Sequence, residues 1–319
     1  MTEIRGRYVA PGRPGELGVH SIDGFRLIVP DLGPAQDFYS AFGLDVREEG
    51  EALGLHTFGH GHRWGEVVPG RRKQLSHLSF GAYERDFDGF RRRLEAQGVK
   101  RIDPPPGVGS NGLWFLNPDG MAMEIRVAEK SSPAEKSAFD VASVGPGGQG
   151  AESRRNAPRV HPRRLSHILI FTTDVLGSIA FYERVLGLRL SDRSGEGVAF
   201  MHGIHGSDHH MVALAKSGGP GLHHLSWDVG SIHDIGLGAM HMADKGYTEG
   251  WGLGRHVLGS NYFHYVRDPW GSLSEYSADI DYIPADFDWQ AADNPPEDSF
   301  YIWGPNPPPW LIDNSELDR

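Results

Sequence analysis

The chain has 319 residues, 39% of them apolar and 23% charged, with a net charge of −11 and no cysteine. The acidic balance leaves no basic excess to neutralise phosphates, so neither nucleic acid nor an anionic membrane is an expected partner. Without cysteine there are no disulfides, cysteine-held zinc or iron–sulfur clusters, and the 17 histidines become the nitrogen ligands for any metal. The opening MTEIRGRYVAPGRPG lacks an apolar run of signal-peptide type, and no segment approaches the ~20 apolar residues of a membrane span, so a cytoplasmic location is expected.

In chain order, residues 24–46 read as a strand, an acidic turn, and a helix that carries Phe38-Tyr39 and ends at Gly43. The strand LSHLSF (75–80) places His77, and WFLNPDGMAMEI (114–125) places Glu124. The pair His60 and His62 reads as a surface loop. Residues 128–164, charged and rich in Ser, Gly and Pro, read as a linker. Beyond it, residues 165–173 form a strand and 175–186 a helix ended by Gly187. Residues 196–201 and 210–215 form a strand pair, 222–229 a strand, and 231–245 a helix ending at Gly246. Residues 262–267 and 272–277 make a hairpin closed by Asp268-Pro269-Trp270-Gly271. The tail from 280 is Pro-rich, and its Trp289, Trp303 and Trp310 point to packing on the body.

The two halves repeat. Phe38-Tyr39 matches Phe181-Tyr182, Gly43 matches Gly187, His77 falls on His224, and Glu124 falls on Glu275. The spacing from His77 to Glu124 is 47 residues and from His224 to Glu275 is 51. Gly24 stands where His167 stands in the second half, so the first copy has two ligand-type residues and reads as structural. His167, His224 and Glu275 together form a two-histidine, one-carboxylate set, which leaves open positions on a non-haem Fe(II). In the pair His223-His224 only the second is expected to face the site, because neighbours on a strand point to opposite sides.

From Gly254 onward the order Gly254, His256, Tyr265, Asp268-Pro269, Gly271, Glu275 resembles the signature of the type I extradiol ring-cleavage dioxygenases, within the vicinal oxygen chelate superfamily. The resemblance is strong over 165–280 and weaker over 20–127. It implies an α+β fold of tandem βαβββ modules, glyoxalase- and bleomycin-resistance-like, two modules per chain. The expected organisation is a degenerate N-terminal module (1–127), the linker (128–164), a catalytic module (165–280) and a tail packed on the body (281–319). It also implies Fe(II), with Mn(II) as runner-up, on His167, His224 and Glu275. His210 matches the family's acid–base histidine, although it sits in a run with His202, His205 and His209. His256 and Tyr265 match the pair that hydrogen-bonds the substrate oxygens, and Phe200 matches an aromatic wall.

The activity so implied is cleavage of a catechol-type diol by O2 to a muconic semialdehyde-type product in aromatic compound degradation, by a homo-oligomer (dimer or tetramer). Relatives that take carboxylated catechols carry arginine five residues before the His256 position. Trp251 stands there, which points to a diol without a carboxylate arm. His264 departs from the family pattern and is expected beside the pocket as a substrate contact. A glyoxalase-like metal-dependent isomerase, a hydroxyphenylpyruvate-type dioxygenase and a non-catalytic ligand-binding protein of the same fold are the competing readings.

Overall fold

The computed structural model describes residues 15–141 and 143–317. The first half runs β1 (Ser21–Val29), α1 (Leu32–Phe42), β2 (Asp45–Glu49), β3 (Ala52–His56), β4 (Arg63–Pro69), β5 (Gln74–Ala82), α2 (Glu84–Ala96), β6 (Leu113–Leu116) and β7 (Ala122–Val127). The second half opens with β8 (Arg164–Thr172), α3 (Val175–Leu186), β9 (Arg189–Ser194), β10 (Val198–His202), β11 (Ser207–Asp208) and β12 (Val212–Lys216). It continues with β13 (Gly221–Asp228), α4 (Ile232–Asp244), β14 (Gly250–His256), β15 (Tyr262–Arg267) and β16 (Leu273–Ala278). The tail adds β17 (Tyr282–Ile283), β18 (Ala292–Asp293), α5 (Pro296–Ser299) and β19 (Tyr301–Trp303).

Duplication is visible in the strand order. The first sheet is β2-β3-β4-β1-β5-β7-β6, and the second contains β9-β10-β12-β8-β13-β16-β15, with β18 added at one edge and β14-β19 at the other. Register repeats as well. Ser79 pairs with Gly24 and Glu124, as Ser226 pairs with His167 and Glu275. The matching helices begin alike, with Asp31 and Asp174 accepting from the backbone N–H of Gly33 and Gly177. Both end on a left-handed glycine, Gly43 at φ 101° and Gly187 at φ 73°. At Gly43 a Cβ would also lie 2.2 Å from the Val160 carbonyl oxygen, so no larger residue fits.

Each half's first helix packs on its own sheet and reaches across to the other half. Phe42 of α1 stacks on Tyr276 of β16 at 3.9 Å between ring centres, and the Tyr276 hydroxyl donates to the Phe42 carbonyl at 2.8 Å. In the other direction Phe181 of α3 meets Phe115 of β6, and the Tyr182 hydroxyl lies 3.5 Å from the Asn117 amide. Buried apolar side chains from both halves therefore form one continuous core. Between the halves, residues 128–163 hold no strand among those described but are tied down along both sheets. Ser131 donates to the Ile22 carbonyl, Asp140 N–H to Gly230, and Arg163 pairs with Asp228. In the tail, Glu316 takes the Lys73 ammonium at 2.7 Å and accepts from the backbone N–H of Leu75 and Leu222, clamping the two sheets together.

Candidate metal centre and cavity

His167, His224 and Glu275 lie on β8, β13 and β16, three adjacent strands of the second sheet. All three are buried, and one donor atom from each falls within 4.8 Å of the others. Glu275 Oε2 is 3.2 Å from His167 Nε2 and 3.7 Å from His224 Nε2. The other oxygen, Oε1, accepts from Asn261 Nδ2 at 3.1 Å. His224 Nε2 and Glu275 Oε2 are buried without a hydrogen-bond partner, which is costly unless something else occupies the space between them.

Hydrogen bonds behind the rings aim the lone pairs the same way. His223 Nε2 lies 2.8 Å from the Leu311 carbonyl, which only accepts, so that nitrogen carries hydrogen. His223 Nδ1 is then bare and accepts from His224 Nδ1 at 2.7 Å, leaving His224 Nε2 unprotonated toward Glu275. On the other ligand strand, Ser166 donates to Asp208 at 2.8 Å, and its oxygen sits 3.3 Å from His167 Nδ1. Asp208 is itself gripped by both terminal nitrogens of Arg164. Two imidazoles with backed Nδ1 atoms and one carboxylate oxygen make a donor set that fits a divalent metal.

The triad faces a cavity of about 530 Å³. Phe200, His210, Trp251, His256 and Tyr265 all line it. His210 stands beside the triad, its ring centre 4.1 Å from that of His167, and Phe200 meets it edge-on at 4.8 Å. His256 Nε2 is 2.9 Å from the Tyr265 hydroxyl, and its Nδ1 is 2.9 Å from the Phe300 carbonyl. Trp251 lies between the Tyr265 and Phe300 rings and donates its indole N–H to Pro305 at 2.7 Å, so it is both wall and anchor for the tail.

Burial sets most protonation states here. It lowers His210 and His224 well below 6.5, reinforced by neighbouring histidines, and lowers His256. Burial and the Glu275 charge raise Tyr265 well above 10, so its hydroxyl stays a donor. Burial alone would raise Glu275, but the facing His167 and His256 outweigh it and hold the carboxyl below its ordinary value.

Two expectations are corrected. His264 does not line the cavity. Register pairs Tyr265 with Glu275 and His264 with Tyr276, so alternation turns His264 to the helix-covered face. His223 does line it, beside His224. The β13–β8 pairing slips between Leu222 and His224, and this bulge at His223 breaks the alternation on which the sequence reading relied. Asn261, the Asp192–His209 pair and the tail residues Phe300 and Leu311 were not foreseen. Asn261 precedes β15 and reaches Glu275 only through its side chain, and neither it nor the tail contacts carry a local pattern.

The first sheet lacks an equivalent centre. His77 packs on Trp114, and Glu124 is taken up by Ser79 and Ser110. The larger hollow over that sheet, about 1130 Å³, is open and lined by Arg26, Glu49, Glu66 and Arg71. His60 and His62 lie in the turn between β3 and β4, with His62 bonded to the Asp23 carbonyl.

Two matched modules built around a buried metal-type triad define the vicinal oxygen chelate class. The chain belongs to the Glyoxalase/Bleomycin resistance protein/Dioxygenase superfamily, whose description matches residues 21–125 and 164–276. It is 48% identical over 311 residues to Metapyrocatechase 2 of Cupriavidus necator, with 97% of each chain covered. Similar solved structures include a Mn(II)-bound glyoxalase from Novosphingobium aromaticivorans (TM-score 0.70, 24% identity, 90% of this chain and 93% of that one). Another is BphC, a halotolerant catechol dioxygenase (TM-score 0.70, 20% identity, 90% and 94%).

Proposed function

We propose that this protein is an extradiol dioxygenase that opens a catechol-type ring beside its two hydroxyls with O2, giving a muconic semialdehyde-type product. The observation that carries the reading is the triad itself: three buried donors converging at the floor of a cavity walled by aromatic side chains. His167, His224 and Glu275 would hold Fe(II), with Mn(II) second. A metal held there would have positions left for the diol and O2 and would supply the Lewis-acid and redox chemistry the cleavage needs.

The chain's own groups supply the rest. His210, kept neutral by burial, accepts a diol proton and later returns it. His256 gives its one N–H to the Phe300 carbonyl, so its Nε2 accepts from the Tyr265 hydroxyl and holds that hydroxyl in place beside the ring oxygens. Phe200 and Trp251 flank the ring, while Phe300 and Leu311 from the tail limit the entry of water. No arginine lines the cavity among the described residues, and the lysine that does, Lys216, turns its ammonium to the Thr173 carbonyl. Arg255 is engaged by Ser260 and Tyr262, and Arg267 by Glu249 and the Trp310 ring. A diol without a carboxylate arm is therefore the better fit.

Anaerobically prepared protein should carry about one metal per chain. With Fe(II) it should consume O2 and form a yellow ring-fission product containing both oxygen atoms. Catechol binding without O2 uptake in the Fe(II) and Mn(II) forms would reject the dioxygenase reading in favour of an isomerase or a binding protein. Comparing kcat/KM for neutral and carboxylated catechols tests the specificity, and a preference for the carboxylated ones would reject it.

A further inference from the structure

His210 has a partner that the reaction as described does not use. Its Nδ1 lies 3.1 Å from Nδ1 of His209, and His209 Nε2 lies 2.9 Å from Asp192 Oδ2. All three residues are buried. Asp192 is fixed from the other side, where Oδ1 accepts the Ala292 backbone N–H at 2.9 Å. Trp289 packs edge-on against the His209 ring and donates to the Ser191 carbonyl at 3.0 Å.

We propose that Asp192 and His209 are positioning residues that hold His210 in the one neutral form able to accept a proton from substrate. The carboxylate accepts only, so His209 Nε2 carries hydrogen. A His209 whose single ring hydrogen is committed to Asp192 has a bare Nδ1. Two bare nitrogens 3.1 Å apart would repel, so the hydrogen between them sits on His210 Nδ1. His210 Nε2 is left unprotonated for the cavity that the ring lines. The Asp-His-base order follows the logic by which a buried carboxylate sets the tautomer of a catalytic histidine. Here it acts through a second imidazole. The proposal rests on the reading of His210 as the proton-transfer group.

Asp192→Asn reverses the relay. Ala292 N–H keeps the amide oxygen at the Oδ1 position, which turns the amide NH2 toward His209. His209 then carries hydrogen on Nδ1, and His210 is driven to the Nε2–H form, which cannot accept a proton. Turnover should fall about 10–100-fold, the usual effect of losing a partner behind a site residue. KM, anaerobic catechol affinity, metal content and melting temperature should stay unchanged. His209→Phe, which keeps the ring but not the nitrogen, is the second variant and should show the same split.

Both are repeated on a His210→Asn background. Positioning through His210 predicts no further loss there. Full turnover in Asp192→Asn and His209→Phe, a loss accompanied by metal release, or equal losses in both backgrounds would each overturn the proposal. A His210→Asn protein with undiminished turnover would instead overturn the role given to His210 itself.

Discussion

Glu275 faces Tyr265 across one strand pair and Ser226 across the other, and Ser226 in turn faces His167. A slip of one residue in β16 would turn the carboxylate to the helix side and dismantle the centre. Glu275→Ala should therefore bring metal content from about one per chain to near zero, read by metal analysis of anaerobically purified protein; full retention would refute the ligand assignment. His264→Leu, one residue from Tyr265 but on the opposite face, should leave turnover and metal content intact. That His167, His224 and Glu275 would converge was legible because two of the three positions, with their spacing, recur in the first half as His77 and Glu124. His264 was misplaced because sequence adjacency to Tyr265 was read as nearness to the pocket, when the pleat makes adjacency mean the opposite. His223 escaped for the converse reason, since nothing in GLHHLSWDV announces a bulge.

The helix α3 was readable over its whole span from its apolar spacing and terminal glycine, and α1 by the matching Phe38-Tyr39 and Gly43. What they cover was not. Nothing local to Phe42 says that its partner is Tyr276, 234 positions away. The amphipathic pattern records only that a face is buried, not against which sheet. Phe42→Ala removes a stacked ring at 0% exposure and should cost about 3–5 kcal/mol. Because that ring belongs to one half and its partner to the other, denaturation followed by tryptophan fluorescence should shift as a single transition, with Trp64 and Trp227 reporting together. Two separated transitions in the wild-type chain would contradict the shared core.

At the scale of the whole molecule, the many buried histidines make the fold sensitive to acid. Burial lowers His20 to about 3, and His77 and His264 to about 4, with positive neighbours adding to the effect at His20 and His77. The sign follows from the neutral form being the one the fold accepts. The unfolded chain binds more protons between pH 4 and 6.5, so stability is complete above 6.5 and falls as pH drops through that window. Each such histidine contributes up to about 1.4 kcal/mol per pH unit. The melting temperature should decline steeply from pH 6.5 to 4.5, and His264→Leu should flatten the decline by its share. A melting temperature that is level over that range would reject the assignment.

The aromatic seam between the halves has a consequence for the continuity of the chain itself. Residues 143–153 are fully on the surface, so a nick there severs only a connection. Each fragment would keep its own helices but lose the contacts of Phe42 with Tyr276 and of Phe181 with Phe115, and would expose that apolar seam when alone. Mixed, the fragments would be obligate complements. The protein thus behaves as an intramolecular heterodimer whose two subunits happen to share one polypeptide, and fragment complementation should restore the dioxygenase from pieces that are each inactive and insoluble.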